Sequence, residues 1–277
     1  MADTFSELPK RYEIRRLQPE HVEWVNMMAV YNNLFDSPVW SVVLPRDKSA
    51  LFDACMDSST TMTEHRIASG HSIGIFDRDY VYRTPEAAKA GGKLYYRPVD
   101  KLASGESTAH TEQSLLEAMD FPLVSIALAS DAAIPLDPSH YTKILEALPL
   151  YGTFQRLQDR QDMRPAEVRK PKSSGEVLMR NGTSTRPDYV GRGLMGALAR
   201  WQMHDAPEQG FRGIEIDSMH PAITKVWTSP PAPFEAQVVV EVDSATYEED
   251  DGQGRMVKPF APSEVLLTRI RVQLRKA

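Results

Sequence analysis

Three glycines fall where a polar, strand-like stretch gives way to a helix: Val190-Gly191-Arg192-Gly193-Leu194-Met195-Gly196. Leu194, Ala197, Leu198 and Trp201 then recur at helical spacing and form an apolar face. The first turn of a helix presents backbone N–H groups without intrahelical acceptors, and the aligned peptide dipoles add partial positive charge. Glycine lets an anion approach those groups closely. Residues Val190 to Gly196 are therefore expected to cradle a phosphate. Downstream, His220 precedes a second, shorter helix and titrates near neutrality, so it can serve as base, acid or helix cap. Asp217 and Glu215 share one face of the strand before it, with Ile214 and Ile216 on the other. Either carboxylate is a candidate acid–base group in a cleft at that strand, although solvent exposure is the plainer expectation for both.

The spacing Gly191-x-Gly193-x-x-Gly196 also matches the dinucleotide-binding fingerprint, with Asp217 near the distance of the ribose-binding acid. An NAD(P)-dependent oxidoreductase is thus a second reading. Against it, Asn181 to Tyr189 is polar and broken by Pro187, whereas the first strand of that fold is a buried apolar run. His65, His71 and His110 lack metal-ligand spacing, and no HExxH set occurs, so no metal is expected. No Gly-x-Ser-x-Gly elbow or Walker lysine is present either. Cys55, the sole cysteine, excludes an intrachain disulfide and reads as a small core residue.

These residues must be positioned by a chain of 277 residues, enough for one or two domains. A net charge of −6 argues against broad nucleic-acid binding. With no long apolar run and a polar, mixed-charge N-terminus, the expectation is a cytoplasmic protein with no membrane contact. Residues 1–11 read as a flexible tail and 12–277 as a single domain. Strands are expected at 12–17, 73–82, 94–96, 122–129, 176–186, 212–217, 234–242 and 265–274, and helices at about 19–34, 48–57, 192–204 and 221–228. A helical segment opened by Asp137-Pro138 and a basic linker occupy 138–175, and Pro149 should interrupt the helix. Polar residues 100–113 and an acidic loop within 244–262 are expected to be mobile. Strands interleaved with helices indicate an α/β or mixed α+β sheet with an antiparallel end.

Thr185-Arg186-Pro187-Asp188-Tyr189-Val190-Gly191-Arg192-Gly193-Leu194-Met195-Gly196, with His220-Pro221-Ala222-Ile223-Thr224-Lys225-Val226-Trp227 after the next strand, resembles the GNAT superfamily of acyl-CoA-dependent N-acyltransferases. In that family a bulged strand ends in Val-x-Pro-x-Tyr and is followed by Gln/Arg-x-x-Gly-x-Gly/Ala and a helix. The resemblance covers residues 176–234, and segment 138–161 stands outside it as an insertion. Val190 replaces the usual Gln or Arg, and Met195 takes the usual second Gly/Ala position with Gly196 just behind it. The implied fold is a GNAT-like sheet whose two central strands splay apart. Asn181-Gly182 is the natural bulge position.

By this resemblance the pyrophosphate of acetyl-CoA or another acyl-CoA sits on the backbone of residues 190–196, and its pantetheine arm runs beside Thr183, Ser184 and Thr185. The acceptor region implicates Asn33, Asp36 and Trp40, with Asp77 or Asp79 nearby. Many members use a tyrosine as proton donor where this chain has Trp227, whose indole cannot donate a proton near neutral pH; Trp227 is then expected to line the substrate. His220 stands where asparagine is common, so the catalytic candidates are His220, Asp217 and Glu215. The implied function is transfer of an acetyl or small acyl group to a small-molecule amine by a monomer or homodimer. The alternatives are an acyl-CoA-binding module without transfer, or a non-standard enzyme performing thioester hydrolysis or decarboxylation.

Overall fold

The computed structural model describes residues 8–45, 48–99 and 110–274. Seven strands form its main sheet: β1 (Tyr12–Arg16), β2 (Ile73–Asp77), β3 (Leu123–Asp131), β4 (Val177–Thr185), β5 (Gly213–Ser218), β6 (Glu235–Asp243) and β7 (Leu266–Gln273). Their spatial order is β1-β2-β3-β4-β5-β7-β6. All neighbours pair antiparallel except β4 with β5. One parallel pair in an otherwise antiparallel sheet excludes the doubly wound architecture of a dinucleotide-binding oxidoreductase.

Helices cover both faces of this sheet. They are α1 (Val22–Tyr31), α2 (Ser49–Ala68), α3 (Thr142–Ala147), α4 (Pro149–Gln161), α5 (Leu194–Glu208) and α6 (Pro221–Trp227). On one face Val25 and Met28 of α1 and Phe52 of α2 pack against Ile126 and Leu128 of β3. On the other, Met203 of α5 and Trp227 of α6 pack with Ile214 of β5 and Ile270 of β7. Covered twice, β3 is buried at every position, which suits its mostly apolar sequence, and buried Ser125 bonds across to Ser184 O and Thr185 Oγ1.

Several expected boundaries shift. Helix α2 runs well past residue 57, and the short apolar segment Val39–Leu44 contains one helical turn (Trp40–Val43). Pro149 sits at the first position of α4, so it separates α3 from α4 as its ring requires. The acidic segment is not a bare loop: Glu249–Asp250 pairs with Met256–Val257, and Asp250 Oδ1 accepts from Gly252 and Gly254 N–H groups. Arg11, placed in the tail by the sequence, donates two hydrogen bonds to Asp77. Residues 1–7 and 100–109, expected to be flexible, lie outside the described residues.

Segment 138–161 packs into the body of the fold. Ile144 and Leu148 join the core beside α2, while Phe154 and Leu157 meet Trp40, Val240 and Leu267. Its end is tied to β5 and β7 by charge. Asp162 accepts two hydrogen bonds from the Arg164 guanidinium and a third from Arg269. Arg164 also reaches Glu215 at 2.9 Å, and Arg271 stands 3.7 Å from the same carboxylate. Burial disfavours the charge on Asp162, yet the bonds from Arg164 and Arg269 outweigh it and hold the carboxyl at about 2.

A carboxyl depressed in the folded state stabilises above its unfolded pKa and loses that contribution as pH falls toward the folded value. Stability should therefore decline between about pH 4 and pH 2 as Asp162 protonates. Asp162→Asn should cost about 3 kcal/mol at pH 7, because two guanidinium groups lose a buried partner, and should flatten that acid limb. Urea unfolding of both proteins at several pH values checks both effects.

Candidate functional site

Parallel pairing of β4 with β5 runs only from Val177↔Gly213 to Arg180↔Ile216. On its other side β4 continues with β3 as far as Ser125↔Thr185. The register against β3 slips between Leu128↔Gly182 and Ala129↔Arg180, so Asn181 is the extra residue of a bulge. Beyond that bulge, residues 181–185 keep β3 on one edge and, among the described residues, have no strand on the other. The divergence opens a cavity of about 1460 Å³.

The glycine turn forms one end of this cavity. All seven residues from Val190 to Gly196 line it, and so do Thr183, Ser184 and Thr185. Gly191 and Gly193 have φ of +82° and +73°, a region that side chains with a Cβ rarely enter. Added Cβ atoms there would meet open space, so backbone conformation is what demands glycine. The first N–H to bond back is that of Ala197, to Gly193 O at 3.0 Å. The amides of Leu194, Met195 and Gly196 lie ahead of it, as orphan donors of the first turn. Arg200 lies against Gly196, its guanidinium 3.2 Å from where a Cβ would be, and it too lines the cavity. The backbone donors and this cation fit a phosphate group. Arg200 had no motif to announce it, since it lies one turn beyond the glycines.

The corner before the turn is held rigidly. Tyr189 donates to Asp77 at 2.6 Å, the carboxylate that Arg11 also holds. Arg186 donates to Phe121 O and pairs with Asp188. Asp77 is thus a buried anchor, away from the cavity wall where the acceptor region was expected.

Other parts of the wall come from α1, α2 and the insertion. Asn33, Asp36 and Trp40 line it as expected, and Cys55 lies beside them with its thiol pushed up to about 11 by burial. Burial also raises the Asp36 carboxyl, helped by the negative charge of Glu112. Asn32 bridges the two halves, donating to Asp36 at 3.1 Å and to Thr185 O at 3.0 Å. Tyr141, Ile144, Leu148, Tyr151 and Phe154 complete an apolar wall. The sequence offered these residues only as the core face of a helix; nothing in their spacing separates a core from a cavity wall.

The expected acid–base residues divide sharply. Glu215 is 5% exposed, off the cavity wall, and committed to Arg164 and Arg271. Asp217 reaches the wall, but Arg269 donates to both its oxygens, at 2.7 and 2.9 Å. Glu215 is buried and Asp217 half-buried because Arg164, at the end of the insertion, and Arg269 and Arg271 of β7 lie over that face of β5. Trp227 is fully buried beneath α6 and does not line the cavity, so it cannot touch a substrate there.

His220 does line the cavity. Its Nδ1 accepts the Ala222 N–H at 3.1 Å and caps α6, which assigns the proton of the neutral ring to Nε2. Burial keeps its pKa below the usual value. The cap and the burial both favour the neutral ring, so His220 offers an N–H donor to the cavity rather than a free base. His220→Ala should lower stability by about 1 kcal/mol through loss of the cap, and His220→Asn should recover most of it. Denaturant midpoints of the three proteins measure this.

No protein-family model and no curated protein matches the chain. Solved structures do. The C-terminal condensation domain of Ebony, determined with beta-alanyl-dopamine, has a TM-score of 0.60 at 15% identity, over 94% of this chain and 98% of that one. Arylalkylamine N-acetyltransferase 2 from Aedes aegypti gives 0.58 at 11% identity, over 95% and 99%. An agmatine N-acetyltransferase gives 0.51 at 12% identity, over 95% and 99%. At these identities the likeness is one of fold. With its seven-stranded mixed sheet and diverging central pair, the chain has the GNAT acyltransferase fold.

Proposed function

We propose that the protein transfers an acyl group from coenzyme A to the nitrogen of a small amine with an apolar body. The observation that carries this reading is a cavity whose wall holds both the orphan amides of a glycine turn and a carboxylate, Asp36, together with aromatic and aliphatic side chains. The solved relatives of the same fold named above include enzymes titled for arylalkylamine and agmatine acetylation, in keeping with an amine acceptor.

In this reading residues 191–196 and Arg200 hold the donor's phosphates, and the open edge of residues 181–185 pairs with its amide-bearing arm. The thioester supplies an electrophilic acyl carbon and a leaving thiol. Asp36 holds the ammonium group and, with its pKa raised, takes the proton that the amine must lose before it can attack. Asp217 and Glu215, neutralised by arginines, are scaffolding. His220 Nε2–H is a hydrogen-bond donor at the mouth of the strand divergence. Since Trp227 cannot give a proton, the sulfur departs as thiolate, which a thiol pKa near ~8.5 allows at reduced rate. In this proposal both partners are small molecules, no metal takes part, and oligomeric state does not enter.

Acetyl-CoA should raise the melting temperature of the wild-type protein and NAD should not. Gly193→Asp should lose that stabilisation, because it forces a Cβ into the left-handed region and sets a carboxylate where phosphate belongs. Melting curves with and without ligand decide this. Asp36→Asn should lower amine-dependent thiol release about 100-fold while leaving acetyl-CoA binding intact. Thiol release that ignores added amine would indicate hydrolysis instead, and binding with no release would indicate a module without transfer.

A further inference from the structure

Arg180 ends the parallel pairing of β4 with β5, and its side chain is buried, with 2% of the residue exposed. One terminal nitrogen donates to Leu128 O at 2.7 Å and to Gly182 O at 2.9 Å, and the other donates to Thr183 Oγ1. These acceptors are all neutral. Nε has no hydrogen-bond partner, and the guanidinium lies over the Trp227 ring at 5.7 Å from its centroid, a neutral contact. No carboxylate pairs with Arg180 among the described residues. Arg186 and Arg269 are also buried, and each holds a carboxylate.

Burial pulls the guanidinium down to about 9, so it stays charged at neutral pH. A buried charge without a counter-ion is strongly unfavourable. Closing a bulge does not require it, since a neutral amide can donate to the same carbonyls. Arg180 also belongs to the cavity wall, beside Asn181, Gly182 and Ile216 at the point where β4 and β5 part. An anionic group bound at that part of the wall would supply the missing charge.

We propose that Arg180 is a receptor for a carboxylate carried by one of the two substrates. The identity of those substrates rests on the acyl-transfer reading above. The carboxylate has two possible carriers: the far end of a dicarboxylic acyl chain on the donor, or an amino acid serving as the amine. Asp36 and Arg180 both line this cavity, with opposite charge preferences.

The test uses the full chain and paired probes. Succinyl-CoA is compared with acetyl-CoA at a fixed amine, and phenylalanine with phenethylamine at a fixed donor, with kcat/KM read from thiol release. A charge-assisted hydrogen bond predicts a preference of about 10-fold to 100-fold for the carboxylated probe in one arm. The arm that shows it identifies the carrier. Arg180→Gln should bring that preference to near unity. Transfer by the wild-type protein with no carboxylate preference in either arm overturns the proposal and leaves acyl transfer standing. A preference that persists in Arg180→Gln also overturns it. Should the variant fail to fold, the wild-type preference still decides, and its saturation by free succinate or phenylacetate as competitive inhibitors reports the same site. If neither thioester binds, the acyl-transfer reading falls and this inference falls with it.

Discussion

Hydrogen bonding between β4 and β5 stops at Arg180 and Ile216, and the freed backbone of residues 181–185 organises everything around it. Unpaired backbone groups inside a protein need partners: Arg180 donates to Gly182 O and Asn32 to Thr185 O, and a ligand with amide groups can pair with what the open edge still offers. The bulge at Asn181 starts the divergence from the β3 side, and the rigid corner at Arg186 to Tyr189 ends it. The glycine turn and α5 follow directly from that corner. Its orphan amides therefore lie in line with the open strand edge, as a binding site for a long, phosphate-bearing molecule demands.

The other half of the cavity depends on charge. Segment 138–161 is the roof and wall of the amine end, and it reaches β5 and β7 through a buried cluster of carboxylates and arginines. That cluster absorbs Asp217 and Glu215, the carboxylates closest in sequence to the binding elements. The same arginines that fix the insertion thereby remove two acid–base candidates. Asp36, whose hydrogen-bond partner is a neutral amide, is a carboxyl held above its usual range at the cavity wall.

The glycine turn was legible because it obeys local rules: positive φ selects glycine, and the apolar face of α5 repeats at helical period. The strand divergence was legible only through the family resemblance. Helix α2 continues beyond the expected residue 57 through Ser58, Ser59, Thr60 and Thr61, residue types of modest helix propensity. In place, Ser59 and Thr60 donate back to the carbonyls of Cys55 and Met56, and Ser59 also meets buried Asn26. The fates of Asp217, Glu215 and Trp227 were not legible, since each is set by partners from distant segments. Arg180 carried no signal at all, as an arginine on a strand is ordinarily a solvent-facing residue.

The central claim is that the open edge of β4 and the glycine turn form one continuous donor site. Backbone amide chemical shifts of the deuterated protein, followed during titration with acetyl-CoA, test it most directly. Saturable shifts should appear together at Thr183–Thr185 and Gly191–Gly196, with one common affinity. Shifts confined elsewhere, or none at saturating acetyl-CoA, would contradict the account.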